Sequence, residues 1–183
     1  VSGKLDPNGN VYSTERILAA IEAQDYQGTD PYGVPILTLD SVLEAQVELG
    51  AGPLHTQFDA DGYAYTSIFI DTAVAKWTLG PKAGHTDDAF QLVDKLPVHY
   101  NIGHLVTAQG DTVAPDGRYL VALNKWSIDR FPPVGTLHPQ NFQLVDLTSE
   151  KMEILVDMPI GMGEPHYVQM VHRDKLANVI QVY

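Results

Sequence analysis

From Phe58 onward the chain is a succession of short apolar or alternating runs separated by turn residues. The run Tyr63–Ile70 stands directly behind Asp61-Gly62, and Arg118–Leu123 directly behind Pro115-Asp116-Gly117. Aromatic and β-branched residues entering from an Asp-Gly pair predict hairpins, because glycine accepts the positive φ of the turn and branched side chains suit the pleat. A further run of strand character follows each, Ala73–Thr78 in the first case and Phe142–Leu147 in the second. The order histidine turn, strand, Asp-Gly turn, strand, loop, strand thus occurs twice, and it opens a third time at His166 ahead of Arg173-Asp174. Four-stranded modules repeating at roughly 40 to 50 residues predict a β-propeller, with longer spacings absorbed by loop insertions. The expected fold is all-β, a partial β-propeller of about three blades with short helical insertions.

The N-terminal residues fit the tail of an earlier module. Val1–Lys4 parallels Val121–Lys125, and Asn10–Ser13 parallels Gln143–Asp146, in each case a strand followed by the outer strand of a blade. Ser13-Thr14-Glu15 can cap a helix over Arg16–Ala23, and Leu39–Ala45 is a weaker helical candidate. Gln24–Pro35, which carries Gly28, Pro31, Gly33 and Pro35, reads as an exposed loop.

Composition narrows the partners. The 183 residues are 44% hydrophobic and 19% charged, ordinary for a globular fold. Eleven basic residues against 23 acidic ones give a net charge of −12, which argues against nucleic acid or an anionic membrane surface as the main partner. No cysteine is present, so disulfides, thiolate metal sites and iron-sulfur clusters are excluded within these residues. No run approaches the roughly 20 apolar residues of a membrane span. The chain opens with Val1-Ser2-Gly3-Lys4 rather than methionine and a signal sequence, so a piece of a longer polypeptide is expected.

Any metal here would rest on nitrogen and oxygen ligands, and three histidines share one setting. His55 follows Gly52-Pro53-Leu54, His104 follows Asn101-Ile102-Gly103, and His166 follows Gly163-Glu164-Pro165. Each stands where a short turn meets a strand, roughly 50 to 60 residues from the next, one blade apart. Equivalent positions on successive blades converge toward the propeller axis, and neutral imidazole is the commonest ligand for copper, zinc and iron. The three are therefore expected to share a metal. His99 and His138 lack the repeated setting and are expected behind the ligands, while His85 and His172 read as solvated.

Lys125 reads in two ways: a surface lysine lying along Trp126, or an inward cation able to donate to a polar substrate. Glu164, two residues before His166, is placed to orient an imidazole or to sit in solvent. Phosphate-binding glycine loops, a Gly-x-Ser-x-Gly elbow and His-Glu-x-x-His are absent from the sequence.

At these residues the chain resembles nitrous-oxide reductase. The matching segments are Gly52–Asp59, Val98–His104, Leu123–Phe131 and Gly163–His166. The second, Sec-exported branch is suggested by Tyr100–Val106 and Pro139–Phe142. The resemblance implies that residues 1–183 are an internal fragment of a seven-bladed N-terminal propeller, in which seven histidines hold a four-copper sulfide cluster. It implies too that His55, His104 and His166 fall on the last three of those histidine motifs, and that Lys125 is the lysine beside the cluster that binds or protonates substrate. A family cation site, with calcium as a candidate ion, pairs that lysine with an acidic side chain whose position is Gln140 here. The cupredoxin domain with its dinuclear copper centre would lie outside these residues, since that centre needs cysteines.

The implied reaction is two-electron reduction of N2O to N2 and water, a step of denitrification. The resemblance places it in the periplasm, in a homodimer served by a cytochrome c or cupredoxin donor. Two alternatives remain open on the residues themselves. One is a non-catalytic β-propeller scaffold that binds proteins at its rim. The other is a zinc hydrolase using the three histidines with an open fourth position.

Overall fold

The computed structural model describes residues 4–6, 8–125, 140–160 and 165–176. Two compact units divide the chain, Val1–Glu48 and Leu49–Tyr183.

In the first unit β1 (Lys4–Leu5), β2 (Asn10–Tyr12) and β5 (Leu43–Gln46) form an antiparallel sheet in that order. Between β2 and β5 come α1 (Thr14–Glu22), the hairpin β3 (Tyr26–Thr29) and β4 (Pro35–Leu37), and the single turn α2 (Leu39–Val42). Ser13 caps α1 by accepting from Arg16 N, as its sequence predicts. Two expectations need correction. Gln24–Pro35 is largely hairpin rather than loop. The helix expected over Leu39–Ala45 stops at Val42, because Leu43 turns extended and Ala45 pairs with Val11 in the sheet.

Three hairpins are turned by one device, an aspartate three residues ahead of a left-handed glycine. Asp6, Asp30 and Asp59 each accept backbone N–H bonds at Oδ1 from the second and fourth residues on, and Gly9, Gly33 and Gly62 have φ of 78°, 81° and 85°. The carboxylate satisfies amides that the tight turn leaves without strand partners.

The second unit holds two four-stranded antiparallel meanders, each in sequential order. The first contains β6 (Pro53–Phe58), β7 (Tyr63–Ile68), β8 (Ala73–Thr78) and β9 (Leu92–Pro97). The second contains β10 (Ile102–Ala108), β11 (Asp116–Asn124), β12 (Asn141–Asp146) and β13 (Glu153–Pro159). These are propeller blades. The Asp61-Gly62 turn joins β6 to β7 where the sequence puts it, whereas Asp116 and Gly117 already belong to β11, with Asp116 paired to Ala108, so the second hairpin turns ahead of its Asp-Gly pair, over residues 109–115. Where a third module would open, residues 165–172 lack regular structure and a single turn, α3 (Arg173–Leu176), follows.

The central strands are the most apolar, and they make the core. Tyr65 and Val74 of one blade pack with Ile102, Leu105, Leu120, Ala122 and Val145 of the other. Two polar latches reinforce the contact from the turn after β12: Lys76 Nζ donates to Ser149 O at 2.9 Å, and Met152 N donates to Asp94 Oδ2 at 2.7 Å. Lys76 is only 3% exposed, and its ammonium also stands 4.3 Å over the Tyr63 ring, so the buried group is both hydrogen-bonded and stacked. No helix among the described residues is long and apolar enough to cross a membrane.

Candidate metal centre

The site begins with a backbone irregularity that both blades share. His55 and His104 are each the third residue of the first strand of their blade. In each strand the register with the next slips between the first and fourth residues, Pro53/Thr56 in β6 and Ile102/Leu105 in β10, so each histidine lies inside a β-bulge. A bulge breaks the strict alternation of faces and re-aims a side chain. The residue ahead of each bulged strand is left-handed, Gly52 with φ 78° and Asn101 with φ 54°. Its carbonyl accepts an N–H from just beyond the paired strand, from Phe69 at 2.7 Å and Lys125 at 3.1 Å. His55 and His104 are thus equivalent in backbone as well as in sequence spacing.

The two rings meet. Their centroids are 3.8 Å apart and their planes 23° from parallel, and His166 lies 4.7 Å from His104 at 51°. The three predicted ligands are therefore together. Lys125 joins them: it is 8% exposed, and its Nζ donates to His166 Nδ1 at 3.2 Å. Its side chain is thus buried against the histidines rather than lying on the surface.

Burial and neighbouring positive charge favour the neutral form of the His55 and His104 rings. His104 is pushed down to about 4, first by burial and then by the positive charges it would face from His55, Lys125 and His166. His55 is lowered by burial, then by Lys125 and His166. A neutral imidazole presents a lone pair, and His104 Nδ1 is buried with no hydrogen-bond partner among the described residues. A buried ring nitrogen with no hydrogen-bond partner is a candidate donor atom for a metal.

The donor set fits a multinuclear group better than a single ion. A ring-nitrogen lone pair lies in the ring plane, so two nearly parallel stacked rings direct their lone pairs side by side rather than at one point. Among the described residues, no group of three His, Asp or Glu side chains is arranged to hold a metal ion. His55 and His104 can instead serve neighbouring metals. Beside them opens a pocket of about 450 Å³, lined by His55, His104, Gln57, Thr107, Tyr167 and Gln169 among others.

The remaining sequence candidates lie elsewhere or outside the described residues. His138 and Glu164 are outside them. His99 Nε2 bonds Asp157 Oδ2, and Asp157 Oδ1 in turn accepts from Asn141 Nδ2 at 2.8 Å. Burial would raise the Asp157 carboxyl, but the His99 and Asn141 bonds outweigh it and hold the carboxyl low. Gln140 directly precedes β12, as Lys125 directly follows β11, and its carbonyl accepts from Ile160 N at 2.7 Å.

His85 corrects the sequence reading. It is buried rather than solvated, bonded to Asp88 Oδ2 at 3.0 Å and Asp61 O at 3.1 Å, with its ring against Tyr63. His172 is half-exposed and paired with Asp116 at 3.0 Å. Sequence reasoning also missed the bulges and the left-handed residues before them. The Gly-Pro and Asn-Ile-Gly lead-ins were the available signal, since glycine and asparagine are the residues that tolerate positive φ.

Residues 95–166 match the family described as nitrous oxide reductase propeller repeat. The nitrous-oxide reductase of Cupriavidus necator is 40% identical over 185 residues, covering all of this chain and 27% of that one. That of Stutzerimonas stutzeri is 37% identical over 177 residues, covering 96% of this chain and 26% of that one. The chain spans about a quarter of the length of the relatives it matches.

Proposed function

We propose, from the premise that this chain belongs to the nitrous-oxide reductase family as a segment of its propeller, that its histidines help hold the copper at which N2O is reduced to N2 and water. His55, His104 and His166 would be three of the ligands of a four-copper sulfide cluster, the other four histidines standing elsewhere in the full protein. The carrying observation is that three imidazoles from successive repeats meet with Lys125 lodged against them. Reduced copper bound there supplies electrons and the back-donation that N2O, a poor ligand, requires, which redox-inert zinc cannot give.

The protein's own part is to present and to protonate. Burial holds His55 and His104 as neutral donors, and the bulges fix the direction of both rings. Lys125 brings a positive charge and a proton to the departing oxygen, where negative charge gathers. The stacked rings weigh against the zinc hydrolase alternative, which needs three nitrogens around one ion. We place the full enzyme in the periplasm as a homodimer of the Sec-exported branch, reduced by a cytochrome c or cupredoxin. Gln140, neutral where the family pattern has an acid, leaves calcium at a second site beside Lys125 without a carboxylate from this position.

The test is N2O consumption by the full-length, copper-loaded protein with a chemical reductant, followed by gas chromatography. Lys125→Ala should keep its copper and lower kcat by about a hundredfold or more, the usual scale for removing a positioned proton donor. Wild-type turnover in that variant would remove Lys125 from the mechanism. Absence of N2O reduction by the intact, loaded protein would leave the scaffold reading in its place.

A further inference from the structure

We propose that Gly103 is a positioning residue: the space its missing side chain leaves is the seat across which the Lys125 arm reaches the histidine cluster. A Cβ built on Gly103 would stand 2.1 Å from Lys125 Cε and 2.9 Å from both Cδ and Nζ. All three distances are far inside van der Waals contact, so the arm lies directly against the glycine. The backbone does not ask for glycine here. Gly103 is absent from the positive-φ residues, and the equivalent place in the other blade, one residue before His55, carries Leu54 with its side chain half-exposed. A side chain is therefore compatible with the bulged strand. It is incompatible with a lysine folded over it.

The two blades differ here in a matched pair of positions. Where one has Leu54 and Phe69, the other has Gly103 and Lys125, and Phe69 and Lys125 make the same backbone bond to the left-handed residue ahead of the strand. Gly103 thus acts through Lys125, not on substrate or metal. The inference rests on the reading of Lys125 given under the proposed function.

Two readouts test it in the full-length protein. The first needs no turnover: metal-free protein is treated with an amine-acetylating reagent, and labelling of Lys125 is read by mass spectrometry. At 8% exposure Lys125 should be protected in the wild type, and Gly103→Ala should expel it and raise its labelling rate at least tenfold. The second is a double-mutant comparison of kcat in copper-loaded enzyme. Gly103→Ala should fall to within a few-fold of Lys125→Ala, with copper content retained, and the double variant should be no slower than Lys125→Ala alone.

Unchanged labelling in Gly103→Ala, or a double variant slower by the product of the single effects, would overturn the inference. If Gly103→Ala does not accumulate, the Lys125→Ala background decides. There the added methyl meets no arm, so folding of the double variant supports the inference and its misfolding refutes it. Wild-type kcat in Lys125→Ala would sink the proton-donor reading alone, leaving the labelling result to judge the seat.

Discussion

Two hairpins carry the same carboxylate–tyrosine bond at very different depths, and replacing each tyrosine by phenylalanine should separate bond from burial. Tyr65 OH donates to Asp59 Oδ2 and Tyr12 OH to Asp6 Oδ2, both at 2.7 Å. Asp59 and Tyr65 are 7% and 0% exposed, whereas Asp6 and Tyr12 are half-buried. Burial raises the Asp59 carboxyl in spite of its hydrogen bonds, while at Asp6 desolvation is outweighed by the combined bonds from Tyr12, Asn10 and Asn8, and the carboxyl is lowered. In Tyr65→Phe the buried carboxylate keeps only the amides of Asp61 and Tyr63, and water cannot readily replace the lost hydroxyl.

A bond to a charged buried acceptor is worth about 1.5 to 3 kcal/mol, and one that water can replace about 0.5 to 1 kcal/mol. Through the local opening equilibrium these become losses of amide protection of roughly ten- to 150-fold in Tyr65→Phe and two- to fivefold in Tyr12→Phe. Hydrogen exchange of the amides of Asp61 and Tyr63, and of Asn8 and Asn10, measures both. Equal losses at the two hairpins, or the larger loss at Asp6, would refute the argument.

Acid should weaken the metal-free protein through His104. Its folded value, about 4, lies below the ordinary 6.5, so the unfolded chain binds more protons between these limits. Stability present above pH 6.5 is then lost as pH falls toward 4, and a melting temperature that does not fall across this window, or an equal fall in His104→Ala, would contradict it. Asn101→Val forces a β-branched residue to φ 54°, at a cost of roughly 1 to 2 kcal/mol, and should disturb the His104 bulge. Asn101→Gly should not, and hydrogen exchange across residues 101–108 distinguishes them. The 183 residues expressed alone should aggregate, since Leu155, Val156 and Met158 of the outer strand β13 are 41–48% exposed. A soluble monomer that melts cooperatively in calorimetry would count against this.

What could be read from the sequence is what local chemistry dictates. The Asp61-Gly62 turn and the aromatic run behind it mark β7, the run Arg118–Leu123 marks β11, and apolar residues mark β8 and β12, since β7 and β8 are buried on both faces and β12 on alternate residues. The outer strands β9 and β13 escape notice because they bury no full side and so carry no alternation. The helix expected over Leu39–Ala45 fails at Leu43, where pairing with β2 overrides a weak local preference. At the site, the shared lead-ins of His55, His104 and His166 were legible as a repeat. The orientation of Lys125 was not, since it depends on a contact with Gly103 between residues far apart in sequence. Burial of His85 rests likewise on Asp88 and Tyr63 packing around it.

Copper content of the full-length protein carrying His104→Ala tests the central claim most directly. If the stacked histidines hold a shared cluster, that one substitution should remove the propeller's copper as a group while copper bound by other domains remains, as read by elemental analysis per subunit. A variant that folds, melts as the wild type does and retains its full complement of copper would contradict the assignment.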